Sequence, residues 1–427
     1  MINNKQLSLG WLLALLLVAF AIRIQAGRWW QTRLPPESQF AFGDSDSYWR
    51  LGECIAQQRP YRYGTAAMVR MPGYPALLST LFWFSDDPPR AWARWQNAAL
   101  GTLVVALVYW LSRIVFPAER RAAWWAAVAA TFYPGAVATS TFILSEGPFC
   151  PLLVLQIAAW AKAARAERNR DVASWALVMG AAAAAAVYMR PSWLPFTPFA
   201  LLVLTSVSSS RWRHLRIGAV GCLVIVAALA PWWIRNYRLA GQFVLTTTEM
   251  GASLYDGLSA EATGGSDMRF RKAFHLAQEF ADTQSDEPMG RFECRVDERM
   301  KRAAVRWATS NPGRVIELMG VKFKRMWSVS PNDGEMSGWK IRALLLLGYT
   351  PLIAASILGT ALYWNRGWPV LLCWLPAIYT TLLHLIFVSS IRYRQPPMLT
   401  LLCVGALLAA HWIPPRKDGA GATPTNE

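Results

Sequence analysis

Long apolar runs alternate with short charged segments along most of the chain. Each run is long enough, or nearly so, to cross a hydrocarbon core of ~30 Å as a helix of roughly 20 residues. Backbone groups find no water in lipid, so such runs predict transmembrane helices. The pattern predicts an all-α polytopic membrane protein with about ten spans, near 7–24, 91–114, 122–141, 144–162, 173–189, 193–209, 217–234, 341–363, 367–388 and 396–412.

The distribution of basic residues orients these spans. If the N-terminus lies in the cytoplasm, every interior connection is net basic, as the positive-inside rule requires. The connections concerned lie near 113–121, 162–170, 211–216, 365–366 and 416–417. The apolar segment 72–84 is short for a span, so it is expected on the outer face as an interfacial or re-entrant helix.

This topology divides the chain into four predicted parts. An N-terminal transmembrane module covers 1–234 and includes the exterior loop 25–90, and 235–340 forms an exterior loop domain. Residues 341–412 are C-terminal transmembrane helices, and 413–427 are a cytoplasmic tail.

Composition narrows the classes of function. The net charge of +17 could indicate nucleic-acid binding, but the basic residues cluster in loops between apolar runs, so no nucleic-acid partner is expected. The spans hold almost no ionisable group, whereas transporters usually mark their pathway with such groups. The six cysteines show no metal spacing, and a disulfide between Cys54 and Cys294, which lie in the two exterior regions, is left open.

Two carboxylates one residue apart lie in the first exterior region, in Gly43-Asp44-Ser45-Asp46-Ser47-Tyr48-Trp49. Carboxylates this close can share a proton or bind a divalent cation, and a carboxylate base typically contributes ~10²–10⁴-fold to a rate. Alternatively, Asp44 or Ser45 caps a helix running from Tyr48 to Gln58, which is worth ~1 kcal/mol. The two interpretations are compatible, because a helix N-terminus would also hold the carboxylate rigidly.

Other charged residues gather near the predicted outer ends of the spans. They are Arg23, Glu146, Arg190, Arg235 and Arg392, and Arg70 and Arg394 lie in outer segments just before prolines. Solvation or contact with lipid headgroups would explain each of them singly. Arg70, Arg392 and Arg394 also suit phosphate binding, because arginine makes bidentate contacts with phosphate. No zinc motif, nucleotide-binding glycine loop or Ser-His-Asp arrangement is apparent, so no metal ligand is predicted.

Several short elements, taken in order, resemble the C-type-fold membrane glycosyltransferases. The likeness is to family 39, the bacterial relatives of protein O-mannosyltransferase and of the lipid A aminoarabinose transferase. The elements are Asp44-Ser-Asp-Ser-Tyr48, Arg70-Met-Pro-Gly-Tyr-Pro75, Leu144-Ser-Glu146, Pro231-Trp-Trp-Ile-Arg235-Asn-Tyr237, Gly251 to Gly265, and Arg392-Tyr-Arg-Gln-Pro-Pro397. Many members have Asp-Glu where this chain has Asp44-Ser45, which leaves the use of a divalent cation open.

The resemblance implies an inverting hexosyl- or pentosyltransferase of cell-envelope glycans in the bacterial cytoplasmic membrane, with its active site on the periplasmic face. The donor would be a sugar on polyprenyl phosphate, and the acceptor a lipid, a glycan or a protein. Residues 1–234 would then be the catalytic module. Asp44 would be the general base, and Asp46 and Glu146 would be further acidic residues of the catalytic site that orient the acceptor or bind a cation. The substrate or its phosphate would contact Tyr48, Arg70, Tyr74, Arg190, Arg235, Arg392, Tyr393 and Arg394.

Two other classes fit parts of the same pattern. An O-antigen polymerase or ligase is also polytopic, uses lipid-linked sugars and has a large exterior loop, but would rely on Arg and His in that loop. A transporter or flippase of lipid-linked sugars predicts polar groups within the spans and an internal repeat, and the sequence shows neither.

Overall fold

The computed structural model describes residues 4–34, 40, 42–284, 291–330 and 338–412. The first helices are α1 (Asn4–Gln31), α2 (Gly43–Ala56), α3 (Gly73–Ser79), α4 (Arg90–Val115), α5 (Arg120–Phe132), α6 (Pro134–Thr141), α7 (Glu146–Arg165), α8 (Asn169–Met189) and α9 (Phe196–Val207). They are followed by α10 (Arg211–Ala240), α11 (Met250–Gly257), α12 (Arg271–Thr283), α13 (Phe292–Ser310), α14 (Pro312–Trp327), α15 (Trp339–Tyr363), α16 (Trp368–Ile386) and α17 (Gln395–Trp412). No β-strand occurs among the described residues, so the predicted all-α fold is confirmed; the predicted tail, 413–427, lies outside them.

Seven helices in the described part of the chain are long and apolar enough to cross a membrane: α1, α4, α7, α8, α10, α15 and α16. Several leucines on these helices are exposed, for example Leu17 at 70%, Leu223 at 69% and Leu347 at 73%. Large apolar side chains pointing outward from apolar helices are what lipid contact requires. The chain is therefore a multi-pass membrane protein. Three of the ten predicted spans correspond instead to shorter or less apolar helices, namely α5 with α6, α9 and α17.

The core lies where α7 and α17 pack among the other helices. Helix α7 packs between α4 and α8, and α17 packs against α15, α5 and α16. Residues 395–407 of α17 are all buried, and the buried face of α7 is rich in small side chains, including Ala158, Ala159 and Ala161. Small residues let helix backbones approach closely, which drives association where lipid removes the hydrophobic effect between helices.

The predicted single span 122–141 is wrong, because the helix breaks at Pro134 into α5 and α6. A proline has no backbone N–H, so the carbonyl four residues earlier, that of Ala130, loses its helical partner. Arg23, a buried residue of α1, donates hydrogen bonds to the carbonyls of Ala130 at 3.0 Å and Thr131 at 3.4 Å. A side chain from the first helix thus satisfies the carbonyls that the break exposes.

The predicted exterior regions fold as shorter helices that pack at one end of the spans. Segment 72–84 forms α3 and a 3₁₀ turn, Thr80–Trp83, together far too short to span a membrane. Helix α2 begins at Gly43, not at Tyr48 as predicted, and its N-cap residue is Phe42 without a side-chain cap. The interpretation of Asp44 or Ser45 as a helix cap is therefore wrong. The thiols of Cys54 and Cys294 are both free.

Candidate functional site

Four helix ends bring most of the predicted site residues together. The first turn of α2 carries Asp44, and α7 begins with Glu146. Arg190 directly follows α8, and Arg392 lies in the connection between α16 and α17. The loop between α2 and α3 contributes Arg70. Residues from five distant parts of the sequence therefore form one cluster of opposite charges.

Asp44 is the accessible carboxylate of this cluster. Its Oδ1 accepts a hydrogen bond from Arg70 Nη2 at 2.5 Å, and its Oδ2 lies 3.7 Å from Arg392 Nη2. Arg70 is held by a second contact, from its Nε to Ser47 Oγ at 3.1 Å. The Asp44 side chain is nevertheless 40% exposed. It therefore keeps an open face toward solvent while both arginines hold its position.

Glu146 is the enclosed carboxylate, with 2% of its side chain exposed. Its Oε1 lies 2.6 Å from Arg190 Nη1 and accepts a hydrogen bond from Arg392 Nε, whereas its buried Oε2 has no hydrogen-bond partner. Burial is the largest single influence and acts to lower the pKa of both guanidinium groups, but the Glu146 carboxylate and other neighbours, including Tyr393, together raise the pKa of Arg190 and Arg392. Arg392 thus connects the two carboxylates and stays charged.

Tyrosines form the wall beside these charges. The Tyr48 hydroxyl donates to Ser145 Oγ at 3.4 Å, and its ring packs edge-on against the fully buried Tyr74. Gly73 places Tyr74 there, because a Cβ at that position would lie 2.6 Å from the backbone of Tyr188. Tyr393 stacks on His384 with the ring centroids 4.1 Å apart, and the guanidinium groups of Arg190 and Arg392 lie near its ring.

Asp46 does not share a site with Asp44. Its carboxylate accepts hydrogen bonds from Arg50 Nε at 3.1 Å and from the Tyr63 hydroxyl at 2.9 Å. Among the described residues, no group of three or more His, Cys, Asp or Glu side chains is placed to hold a metal ion. Asp44 and Glu146 are each occupied by guanidinium groups, so the carboxylates as arranged do not fit a divalent cation.

Two predicted phosphate-binding arginines lie elsewhere. Arg394 is fully buried and donates to the carbonyls of Met326 and Ser328, with its guanidinium carbon 3.6 Å from the centre of the Tyr349 ring. Arg235 donates to the carbonyls of Tyr61 and Ala67. Both are engaged in backbone contacts, and neither forms an ion pair with Asp44 or Glu146 in the described part of the chain.

A cavity of approximately 810 Å³ opens beside Asp44. Its walls include Asp44, Ser47 and Arg70 on one side and Glu249, Arg271 and His275 from the second exterior region on the other. A space of this size is in the usual range of ligand pockets. Both predicted exterior regions therefore line this chamber, and the exposed Asp44 carboxylate is part of its wall.

Sequence reasoning missed the neutral residues that orient this site. Ser47 and Ser145 contact Arg70 and Tyr48, and the buried Asn97 donates to the Tyr74 hydroxyl at 3.3 Å. Single Ser and Asn residues carry no sequence signal of such a role. Ser47 alone could have been found, because it follows Asp44 by three residues and so lies on the same side of a helix.

The fold and the site define a class: a helical membrane protein with a charged cluster at one end of its spans and a polar chamber beside it. Within this class, the family model for dolichyl-phosphate-mannose-protein mannosyltransferases matches residues 65–245. The match includes Arg70, Tyr74, Glu146, Arg190 and Arg235 and leaves Asp44 and Arg392 outside. It confirms the predicted resemblance to the family 39-like membrane glycosyltransferases. A comparison with curated proteins found no match.

Solved structures share the fold. The oligosaccharyltransferase AglB of Archaeoglobus fulgidus, in complex with an inhibitory peptide and a dolichol-phosphate, has a TM-score of 0.56 and 16% identity, covering 93% of this chain and 50% of that one. Its apo form gives a TM-score of 0.57 and 15% identity over 92% and 50%. ArnT from Cupriavidus metallidurans bound to undecaprenyl phosphate has a TM-score of 0.44 and 13% identity over 94% and 78%. The chain spans about half the length of the oligosaccharyltransferase, whose C-type fold it adopts.

Proposed function

We propose that this protein is a membrane glycosyltransferase that moves a hexose or pentose from a polyprenyl-phosphate donor to an acceptor outside the cytoplasm. The observation that carries the proposal is the exposed Asp44 carboxylate, which contacts two arginines and lines the chamber. The family match and the shared fold support the same class of donor. A lipid, a glycan or a protein could serve as the acceptor, and a bacterial cytoplasmic membrane with the site facing the periplasm suits the topology.

Asp44 is positioned to act as the general base. In the proposed step, a hydroxyl of the acceptor attacks the anomeric carbon, and its proton passes to Asp44 as the new carbon–oxygen bond forms. The bond between the anomeric carbon and the phosphate oxygen breaks on the opposite face, which inverts the configuration. A carboxylate base of this kind contributes ~10²–10⁴-fold.

The guanidinium groups suit the leaving phosphate. Among the described ion pairs, Arg70, Arg190 and Arg392 pair with Asp44 and Glu146, which is three guanidinium groups for two carboxylates. Polyprenyl phosphate gains negative charge as the glycosidic bond breaks, and fixed cations near that charge stabilise the transition state. We assign this role to Arg392 and Arg70, with Glu146 holding Arg392 and Arg190; Arg394 is too buried to take part.

Transfer can be tested with the purified protein in proteoliposomes. The donors are radiolabelled hexoses and pentoses on polyprenyl phosphate, and the acceptor is a lipid and glycan extract of source cells that lack the gene. We expect label to move to the extract, and Asp44→Asn to slow this by ~10²–10⁴-fold at unchanged expression. Near-normal transfer by the Asp44→Asn variant would contradict the proposal. Movement of lipid-linked sugar across the membrane without transfer, surviving that substitution, would favour the transporter alternative.

A further inference from the structure

The two arginines beside Asp44 lie on connections and not on helices. Arg70 belongs to the segment between α2 and α3, and Arg392 to the segment between α16 and α17. A connection has no ladder of backbone hydrogen bonds to fix it, so its polar groups need partners from other parts of the fold. In both segments, the partners come in part from a charged side chain of the second exterior region.

Glu293, in the first turn of α13, holds the segment that carries Arg70. Its Oε1 accepts a hydrogen bond from the Ala67 backbone N–H at 3.0 Å, and its Oε2 accepts from the Met68 N–H at 3.1 Å and from Thr248 Oγ1 at 3.2 Å. The Thr248 N–H in turn donates to the Met68 carbonyl at 3.0 Å. Hydrogen bonds from backbone amides to a carboxylate are about twice as strong as those between neutral groups.

The same segment is held from the opposite side by α10. Arg235 Nη2 donates to the carbonyls of Tyr61 at 3.2 Å and Ala67 at 3.0 Å. The Tyr61 hydroxyl donates to the carbonyl of Arg70 itself at 3.2 Å. Arg235 therefore binds carbonyls of this segment while Glu293 binds its amides. The two contacts meet at Ala67 and Met68, two or three residues before Arg70.

Lys322, on α14, contacts the end of the helix that leads into the second segment. Its ammonium group is buried and donates to the carbonyls of Gly257 at 2.9 Å, Leu385 at 3.2 Å and Ile386 at 2.5 Å. The last two belong to the end of α16, where helix carbonyls lack intrahelical partners. The Ser389 N–H donates to the Gly264 carbonyl at 2.9 Å, which ties the next turn of the segment to the exterior region as well.

We propose that Glu293 and Lys322 are positioning residues of the site. Through them, α13 and α14 set the places of Arg70 and Arg392 on either side of Asp44. The exterior region 244–327 is then part of the machinery that aligns the charges and not only a cover for the chamber. This inference rests on the proposed function, because it concerns the rate of the same transfer.

A double-mutant cycle tests the Glu293 contact. Glu293→Gln keeps the shape but weakens the contact to both amides, and we expect kcat for transfer to fall about tenfold with KM for the donor within twofold. In an Arg70→Lys background, which keeps residual transfer, the same substitution should cost less than twofold. Glu298→Gln is the matched control, because Glu298 lies on α13 but pairs with the exposed Arg302 and Lys301; its rate should match that of the wild type.

The Lys322 contact is tested in the same way. Lys322→Met should lower kcat about tenfold and lose that effect in an Arg392→Lys background, whereas Lys324→Met, on the exposed side of α14, should leave the rate unchanged. A second measurement, made on the folded fraction of each variant, is the rate of hydrogen–deuterium exchange in peptides covering 64–72 and 385–393. We expect faster exchange of the first peptide in Glu293→Gln and of the second in Lys322→Met.

The outcomes separate this inference from the proposed function. If Asp44→Asn abolishes transfer but the Glu293 and Lys322 effects persist undiminished in the arginine backgrounds, the positioning role is wrong and the function stands. Faster exchange of either peptide with an unchanged transfer rate would also overturn it. If Asp44→Asn transfers sugar normally, the proposed function itself fails.

Discussion

Asp44 and Glu146 are carboxylates of the same cluster, and both contact Arg392, yet their surroundings differ sharply. Asp44 lies on α2 with 40% of its side chain exposed, and Arg70, which contacts it, lies on the connection between α2 and α3. Glu146 lies at the first residue of a spanning helix with 2% exposed, and two guanidinium groups approach the same oxygen. One carboxylate is open to a reacting hydroxyl, and the other is not.

This difference in exposure suits one carboxylate to a catalytic role and the other to a structural role. A general base must reach the proton that it abstracts, so it needs an open face. An anchor for cations needs the reverse, because a charge pair removed from water is strong only when each partner is satisfied. Glu146 fits the second role better than the catalytic role that the resemblance implies for it, and this comparison yields four tests.

The largest effect on stability is expected from Glu146. Glu146→Gln removes the buried carboxylate that Arg190 and Arg392 share, and removing one partner of a buried pair typically costs ~3–5 kcal/mol. Thermal unfolding in nanodiscs, followed by tryptophan fluorescence, should show a large fall in the melting temperature. Asp44→Asn is the matched control, because its more exposed pair is worth only ~0–1 kcal/mol. An equal loss of stability in both variants would remove the proposed distinction.

The next effect concerns two arginines two residues apart. Arg392→Lys replaces a forked cation by a point charge at the site, so transfer should fall roughly ten- to a hundredfold while the fold persists. Arg394→Lys should instead lower the free energy of unfolding by ~1–3 kcal/mol, because Arg394 donates to backbone carbonyls inside the bundle. Donor-saturated transfer rates and melting temperatures of the two variants distinguish these outcomes. If Arg394→Lys slowed transfer without lowering stability, Arg394 would have to be assigned to the functional site after all.

A smaller effect is expected at Asp46. Its contacts with Arg50 and Tyr63 are exposed, so Asp46→Asn should change the transfer rate less than threefold and stability by ~0–1 kcal/mol. The measurement is the same transfer assay, with and without added Mg²⁺ or Mn²⁺. A loss comparable to that of Asp44→Asn, reversed by more metal, would show that the two carboxylates act together on a cation.

A fourth test distinguishes the effect of burial on a carboxylate from the effect of arginine pairing. Asp297 of α13 is a carboxylate without an arginine partner among the described ion pairs, and burial raises its pKa to about 6, with the nearby Glu249 acting in the same direction. Its folded pKa lies above the ordinary value, so the folded state loses stability as pH rises from about 4 and the loss is complete above about 6. Asp297→Asn still accepts the Gly251 N–H, and it should raise the melting temperature at pH 7.5 but not at pH 4. A pH-independent effect would contradict the shifted pKa.

Hydrophobic patterning predicted the positions of most helices, because apolar length is the dominant constraint in lipid. It placed 217–234 correctly but missed both ends of α10, which begins at Arg211 and continues past Arg235 to Ala240. The break at Pro134 was readable in principle, since proline interrupts the bonding of a helix. The positions of the basic loops predicted that Arg70, Glu146, Arg190 and Arg392 share one face of the protein, and the structure brings these residues together.

The roles of neighbouring residues were harder to predict. Asp44 and Asp46 diverge because residues two apart on a helix point to different sides, and this follows only once α2 is known to begin at Gly43. Arg392 and Arg394 are alike in sequence, and only packing against the end of α14 removes Arg394 from the site. Glu293 contacts Ala67 across 226 residues, a distance over which a single sequence carries no information.

The contact of Arg23 with the break in α5 bears on how the protein is made. Helix α1 is synthesised before α5, and the Arg23 guanidinium binds carbonyls that follow it by 107 and 108 residues. Until those residues have been made, the acceptor that remains of these three carbonyls is that of Ala19 in its own helix. The hydrogen bonds that join α1 to the end of α5 therefore form only after the fifth helix has been synthesised.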